Sequence, residues 1–189
     1  MATSLFSGRE ILLGITGGIA ACRAAEVLSL LRDAGAHASV VMTEGATAFV
    51  TPLTFEALTG RAVATSALEL SEHKPAHVLA GHQADAIVVA PASAAFLGRL
   101  AAGIPSDAVT LAILCSRAPL ILAPAMHTRM WEHPAVQENV KRLVSRGAIL
   151  VGPVRGRLST GEEGVGRMAE PAEIITAVEK SLKGLRSKV

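Results

Sequence analysis

The run EILLGITGGIAACRAAEVLSLLRDAG, Glu10 to Gly35, joins a short apolar stretch to a helical pattern through a glycine turn. Residues 10–16, EILLGIT, are almost continuously apolar, the composition of a strand covered on both faces. From Ile19 the apolar residues recur at helical spacing, and the pattern closes on Gly35. The same buried-strand composition returns in HASVVMT (37–43), DAIVVAP (85–91), PLILAPA (119–125) and AILVGPV (148–154). Helical patterns occupy HPAVQENVKRLVSRG (133–147) and PAEIITAVEKSLKG (171–184). Strands alternating with helices predict an α/β fold: a doubly wound parallel sheet in a single domain over residues 1–189.

Hydrophobic residues make up 50% of the chain and charged residues 18%. Together with a mean hydropathy of +0.44, this predicts that part of the surface is covered by other subunits. No apolar run reaches the length of a membrane span and the N-terminus lacks a signal-peptide pattern, so a cytoplasmic protein without a membrane partner is expected. A net charge of +2, 3% aromatic residues and no Tyr argue against nucleic acid as a partner. Cys22 and Cys115 lack metal-type spacing and sit in apolar patterns, which predicts two buried small hydrophobes.

Ligands of a doubly wound sheet collect beyond the carboxyl ends of its strands. That rule gathers Gly17, Thr43, Pro91 to Ser93 and Met126 to His127 at one edge. In GITGGIAA (14–21), Gly17 and Gly18 let backbone N–H groups approach an anion at a helix start. The spacing is not that of a dinucleotide fingerprint, although Glu44, just past the second strand, leaves a ribose contact open; a mononucleotide with one phosphate, with Thr43 offering a hydroxyl, fits better. A tight turn without a ligand is the competing reading. Ser93 and Asp107 each stand at a helix start and are expected to cap it. ALELSEHKPAH (67–77) and PVRGRLSTGEEGVGRM (153–168) are polar or glycine-rich and are candidate functional loops.

Five ordered blocks carry a resemblance over about residues 8–180: GITGGIAA (14–21), MTEGATAFVTPLTFEALTG (42–60), HVLAGHQADAIVVAPASA (77–94), PAMHTRMW (124–131) and GRLSTGEEGVGRM (156–168). They resemble the homo-oligomeric flavin-containing cysteine decarboxylases. The resemblance implies a flavodoxin-like (Rossmann-like) fold, FMN as cofactor without a metal, and trimers that assemble further into dodecamers with flavin sites between neighbouring subunits. It implies a catalytic His77, with FMN held by Gly17, Gly18, Ile19, Ala20, Thr43, Phe49, Pro91, Ala92, Ser93, Thr110, Ala125 and Met126. Substrate would meet His127, Met130, Arg157, Ser159 and Thr160, with 153–168 as a clamp-like loop. A neutral imidazole at His77 suits the acceptance of a thiol proton. His73 and His82 flank it without metal-box spacing. Trp131 is expected in the core, and Arg157 and Arg167 either steer an anion or are solvated loop charges.

Three departures stand out. His127 occupies a position where the family usually has Asn, and its ring N–H offers the substrate carboxylate a comparable donor. Ala95 and Phe96 replace an amide and a hydroxyl. Ser159 and Thr160 occupy a clamp position where many coenzyme A enzymes have Cys, and a hydroxyl cannot deliver a thiol's redox step. That loss, and a chain that stops near the decarboxylase boundary, favour oxidative decarboxylation of the carboxy-terminal cysteine of a ribosomally made peptide to an enethiol. Phosphopantothenoylcysteine decarboxylation in coenzyme A biosynthesis is the alternative, and a non-catalytic flavin-binding regulatory subunit the next; a flavin prenyltransferase is disfavoured because that branch does not share the Met-Trp block.

Overall fold

A computed structural model describes residues 6–68, 70–71 and 74–186. The main sheet is parallel and contains β1 (Glu10–Ile15), β2 (His37–Met42), β5 (Ala86–Ala92), β6 (Leu120–Pro124) and β7 (Ile149–Leu150). Its spatial order is β2-β1-β5-β6-β7. Counting only these five strands, that is the 2-1-3-4-5 order of flavodoxin-like folds, with the switch point between β1 and β5. Two short antiparallel pairs lie outside it: β3 (Leu70–Ser71) with β4 (Lys74–Pro75), and β8 (Val154–Arg157) with β9 (Glu163–Arg167).

Side chains of the central strands alternate between two cores, as a period of two residues requires. On one face Ile11, Leu13, Ile15, Val88, Ala90, Ile121 and Ala123 meet α1 (Ala24–Asp33) and α9 (Pro171–Arg186). Helix α1 presents Ala24, Val27, Leu28 and Leu31, and α9 presents Ile174, Val178 and Leu182, spacings that keep one stripe inward. On the other face Leu12, Ile87, Val89 and Leu122 meet α5 (Ala94–Ala102), α6 (Ala108–Leu114) and α8 (Pro134–Ser145). The short α2 (Glu44–Thr47), α3 (Pro52–Thr59), α4 (Ala76–Gln83) and α7 (Thr128–Trp131) fill the connections. Among the described residues, no helix is long and apolar enough to cross a membrane.

Four expectations need correction. Ile19–Arg23 is a 3-10 turn leading into α1, which rotates Cys22 outward, so Cys22 is exposed and Cys115 only half-buried. The stretch 148–154 gives just two residues to the sheet. Gly152 turns the chain with φ 77°, and Pro153 has no N–H to continue a ladder. The loop expected at 153–168 is largely the β8–β9 hairpin, whose glycines disguise strand content because they carry no β-branched side chains. Trp131 is half-buried and packs against the second core instead of lying within it. His73, in the other candidate loop, lies outside the described residues.

Candidate functional site

The switch point is built around a threonine that sequence reasoning missed. Thr16, at the end of β1, is 1% exposed. Its hydroxyl donates to the Pro91 carbonyl at 2.8 Å and accepts the Ser93 N–H at 2.9 Å. One buried hydroxyl thereby ties the carboxyl ends of β1 and β5 together, satisfying groups that would otherwise be costly to bury. Ser93 then caps α5, accepting the Phe96 N–H at 3.4 Å. Pro91 and Ala92 are buried in β5 itself. Asp107 caps α6 in a reciprocal capping box with Thr110, whose fully buried hydroxyl is taken up by that box.

Gly17 follows Thr16 because nothing larger fits: a Cβ there would lie 2.9 Å from the backbone of Gly45. The start of α2 and the turn after β1 therefore touch backbone to backbone. Gly18 faces open space, with nothing within 4 Å of a notional Cβ, where the backbone turns into the 3-10 segment. Near Gly45, Thr43 is buried at 6% exposure, and its side chain does not cap the helix that follows. Ile19 and Phe49 stand out as exposed large apolar side chains, at 62% and 51%.

From Gly18 a cavity of about 390 Å³ opens toward the β8–β9 hairpin. Gly18, Ile19 and Ala20 form one wall, Ala125, Met126 and His127 a second, and Arg157, Ser159 and Thr160 a third. These expected residues come from three distant parts of the chain. Cys22, Arg23, Leu158 and Arg167 also line it, none of them anticipated as ligand contacts save Arg167 as an anion guide. Met130 is exposed on α7 and does not line the cavity; neither do Gly17, Thr43, Phe49, Ser93 or Thr110.

The hairpin is seated by glycines. A Cβ on Gly164 would fall 2.1 Å from Thr128 Oγ1, and one on Gly166 would fall 2.1 Å from the Met126 carbonyl oxygen. Met126 donates its N–H to the Gly166 carbonyl at 3.0 Å. The strand thus rests directly on the segment that carries His127. There the Nδ1 of His127 accepts the Arg129 N–H at 3.2 Å, capping α7, while its Nε2 lies 3.0 Å from Glu162 Oε2. An accepting Nδ1 leaves the proton on Nε2, so the ring splits into a capping acceptor and an outward donor, as an Asn amide would.

His77 lies elsewhere. It sits in the first turn of α4, is 6% exposed, and its Nδ1 is buried without a hydrogen-bond partner among the described residues. It does not line the cavity. Helix α4 packs on α6 so closely that a Cβ on Gly81 would meet the Ala112 carbonyl oxygen at 2.3 Å. His82, five residues on, is exposed. Of the two departures beside Ser93, Ala95 faces solvent and Phe96 is fully buried in the second core.

Charge gathers at the cavity rim. Arg23 bonds Glu170 at 2.7 Å, and Arg167 bonds the same carboxylate at 2.9 Å. The hydrogen bond from Arg23 holds the Glu170 carboxyl below its ordinary range and in turn raises the Arg23 guanidinium.

The profile of the Flavoprotein family matches residues 3–183. The chain belongs to the Flavoprotein family. Within it, the chain is 42% identical over 190 residues to the coenzyme A biosynthesis bifunctional protein CoaBC of Haemophilus influenzae, an alignment covering 97% of this chain and 48% of that protein. The chain therefore spans about half the length of this curated relative. Among solved structures it resembles the FMN-dependent cysteine decarboxylase SpaF, with a TM-score of 0.83 at 31% identity, covering 95% and 98% of the two chains. It also resembles a mutant PPC decarboxylase complexed with pantothenoylaminoethenethiol, with a TM-score of 0.80 at 28% identity, covering 91% and 97%. The flavodoxin-like expectation agrees with these folds.

Proposed function

We propose that this Flavoprotein-family chain is an FMN-dependent cysteine decarboxylase acting on phosphopantothenoylcysteine, the reaction kept above as the alternative to peptide modification. The observation that supports this substrate is the 42% identity to CoaBC over nearly the whole chain. The likeness to SpaF, 31% identical, supports the peptide reading less strongly. The peptide reading stays in view because Ser159 and Thr160, not a thiol, face the cavity from the hairpin.

The residues present fit FMN. The Gly17–Gly18 turn leaves backbone space for a phosphate, Thr43 offers a hydroxyl not spent on capping, and Ile19 and Phe49 provide apolar surface for a flat ring. Bound there, FMN supplies the two-electron acceptance that oxidises the substrate thiol and makes the carboxylate a leaving group. His127 directs its Nε2–H toward the substrate carboxylate, while Met126 and the 153–168 hairpin exclude water around it. His77, whose buried Nδ1 has no partner among the described residues, takes the thiol proton.

His77 and the cavity belong to different regions of one chain, so the proposal includes a homotrimer, alone or within a dodecamer, in which His77 of one subunit completes the cavity of the next. The single domain working in the cytoplasm is part of the same reading. The test is carbon dioxide release by the yellow, FMN-loaded protein from phosphopantothenoylcysteine, compared with a peptide ending in Cys. Turnover of the peptide alone would overturn the substrate; turnover of neither by flavin-loaded protein would favour a regulatory subunit. Co-expression of His77→Asn and His127→Ala chains, each inactive alone, should restore about a quarter of the sites if each site draws on two subunits. No recovery would overturn the shared site.

A further inference from the structure

The cavity carries more positive charge than a lone carboxylate needs. Arg23, Arg157 and Arg167 all line it, and among the described residues no Asp or Glu does. Arg23 and Arg167 divide one carboxylate, Glu170, between them. The Arg157 side chain makes no hydrogen bond or ion pair among the described residues, whereas Arg167 on the facing strand is tied to Glu170. Arg167 is also held in place by shape: a Cβ on Gly156 would meet its Cδ and Nη1 at 2.7 Å, so the glycine leaves room for the guanidinium to lie across β8.

A planar guanidinium fork matches the oxygens of a phosphate, and a dianion gains more from several such forks than a singly charged group does. His127 already provides the donor for a carboxylate at a separate wall of the same cavity. We infer that Arg157, supported by Arg23 and Arg167, receives the phosphate monoester at the far end of the substrate and sets the preference for a phosphorylated over an unphosphorylated molecule. This rests on the substrate proposed above. One molecule then spans the cavity with its carboxylate on His127 and its phosphate on Arg157. The two anionic ends fix its direction, which places the sulfur-bearing carbon near the carboxylate end. A phosphate monoester also belongs to the flavin, so the assignment has to separate the two sources.

The experiment measures binding by calorimetry on the FMN-loaded protein, using serine analogues of phosphopantothenoylcysteine and pantothenoylcysteine, in which oxygen replaces the sulfur. The wild type should bind the phosphorylated analogue about 10- to 100-fold more tightly, the range for charge-assisted hydrogen bonds. Arg157→Gln should erase most of that ratio, and Arg157→Lys should keep the charge but recover only part of it. The control is Arg155→Gln, which removes an exposed charge from the same strand without touching the cavity. Its ratio should equal the wild type's. FMN affinity should be unchanged in all three variants.

An unchanged ratio in Arg157→Gln overturns the assignment, and equal losses in both glutamine variants reduce it to a general field effect, which overturns it too. Loosened FMN with a preserved ratio assigns Arg157 to the flavin phosphate and also overturns it. Turnover is measured separately on the sulfur-containing substrates. A wild type that shows the binding ratio but releases no carbon dioxide leaves the phosphate subsite standing and sinks the proposed reaction. Turnover of both substrates with no binding preference does the reverse.

Discussion

Gly166→Ala tests whether the hairpin's seating on the His127 segment governs catalysis. The new Cβ would lie 2.1 Å from the Met126 carbonyl oxygen and 3.3 Å from the Thr128 nitrogen. Carbon and oxygen ordinarily approach no closer than about 3.3 Å, so β9 must lift by roughly 1.2 Å. Both obstacles are backbone, and neither can rotate away. Overpacking of this kind costs about 1–3 kcal/mol, and for a domain of this size each kcal/mol lowers Tm by about 2–4 °C. The catalytic loss should be larger in proportion. Lifting β9 strains the 3.0 Å bond from Met126 N to the Gly166 carbonyl and moves the cavity wall relative to His127. Displacements near 1 Å in groups that position substrate cost about 100-fold in rate. FMN uptake should be affected less than turnover, because the proposed phosphate corner at Gly17, Gly18 and Thr43 is not touched and only the contact at Met126 shifts. The assay combines thermal melting, flavin absorbance and carbon dioxide release. Gly161→Ala serves as control, since a Cβ there meets nothing within 4 Å and only the φ of 89° is unfavourable. A Gly166→Ala protein that melts and turns over like wild type would refute the seating argument.

Glu162→Gln removes the charge that the His127 Nε2–H now faces at 3.0 Å. On the proposed role of His127 the substrate carboxylate competes for that donor, so KM should fall by up to about fivefold, the worth of an exposed pair, with kcat little changed. A raised KM would mean that Glu162 positions His127 for substrate instead of competing with it. The Arg23–Glu170 pair gives a pH signature. Glu170's carboxyl is lowered in the folded state by the hydrogen bond from Arg23, so its stabilisation is complete above the ordinary carboxyl value of 4.5 and is lost as pH falls through the lower folded value. The melting difference between wild type and Glu170→Gln should therefore be present at neutral pH and close only below that value; a gap of constant size through the acid range would exclude the pair as its cause.

Much of this protein was written in local pattern. Apolar strands separated by helical periodicity fixed the α/β class, because a strand buried on both faces has no polar alternation to hide it. GITGG and the helix starts at Ser93 and Asp107 were legible for the same reason: a tight turn or an orphan N–H has only a few residue solutions. His127 stood out only through the family resemblance, as a ring donor where an amide is usual, and the structure puts it on the cavity wall. The hairpin was not legible, since VRGR and EGVGR carry almost none of the bulk that marks a strand. Nor was the outward turn of Cys22, which follows from tight 3-10 winding in place of an α-helical turn.

Tertiary structure alone decided the contacts between distant backbones. Gly17 is required by Gly45, and Gly164 and Gly166 by Thr128 and Met126, relations in which the partner lies tens of residues away or more. The buried Thr16 hydroxyl acquires its role only when β1 and β5 are adjacent, and Phe96 becomes core only when α5 closes over the sheet. The physical reason is range. Periodicity, capping and turn chemistry act within a few residues, so a sequence displays them directly. A cavity's walls, an arginine left without a carboxylate and a histidine separated from its expected site are set by which elements meet, and that follows from burying two faces of one sheet at once.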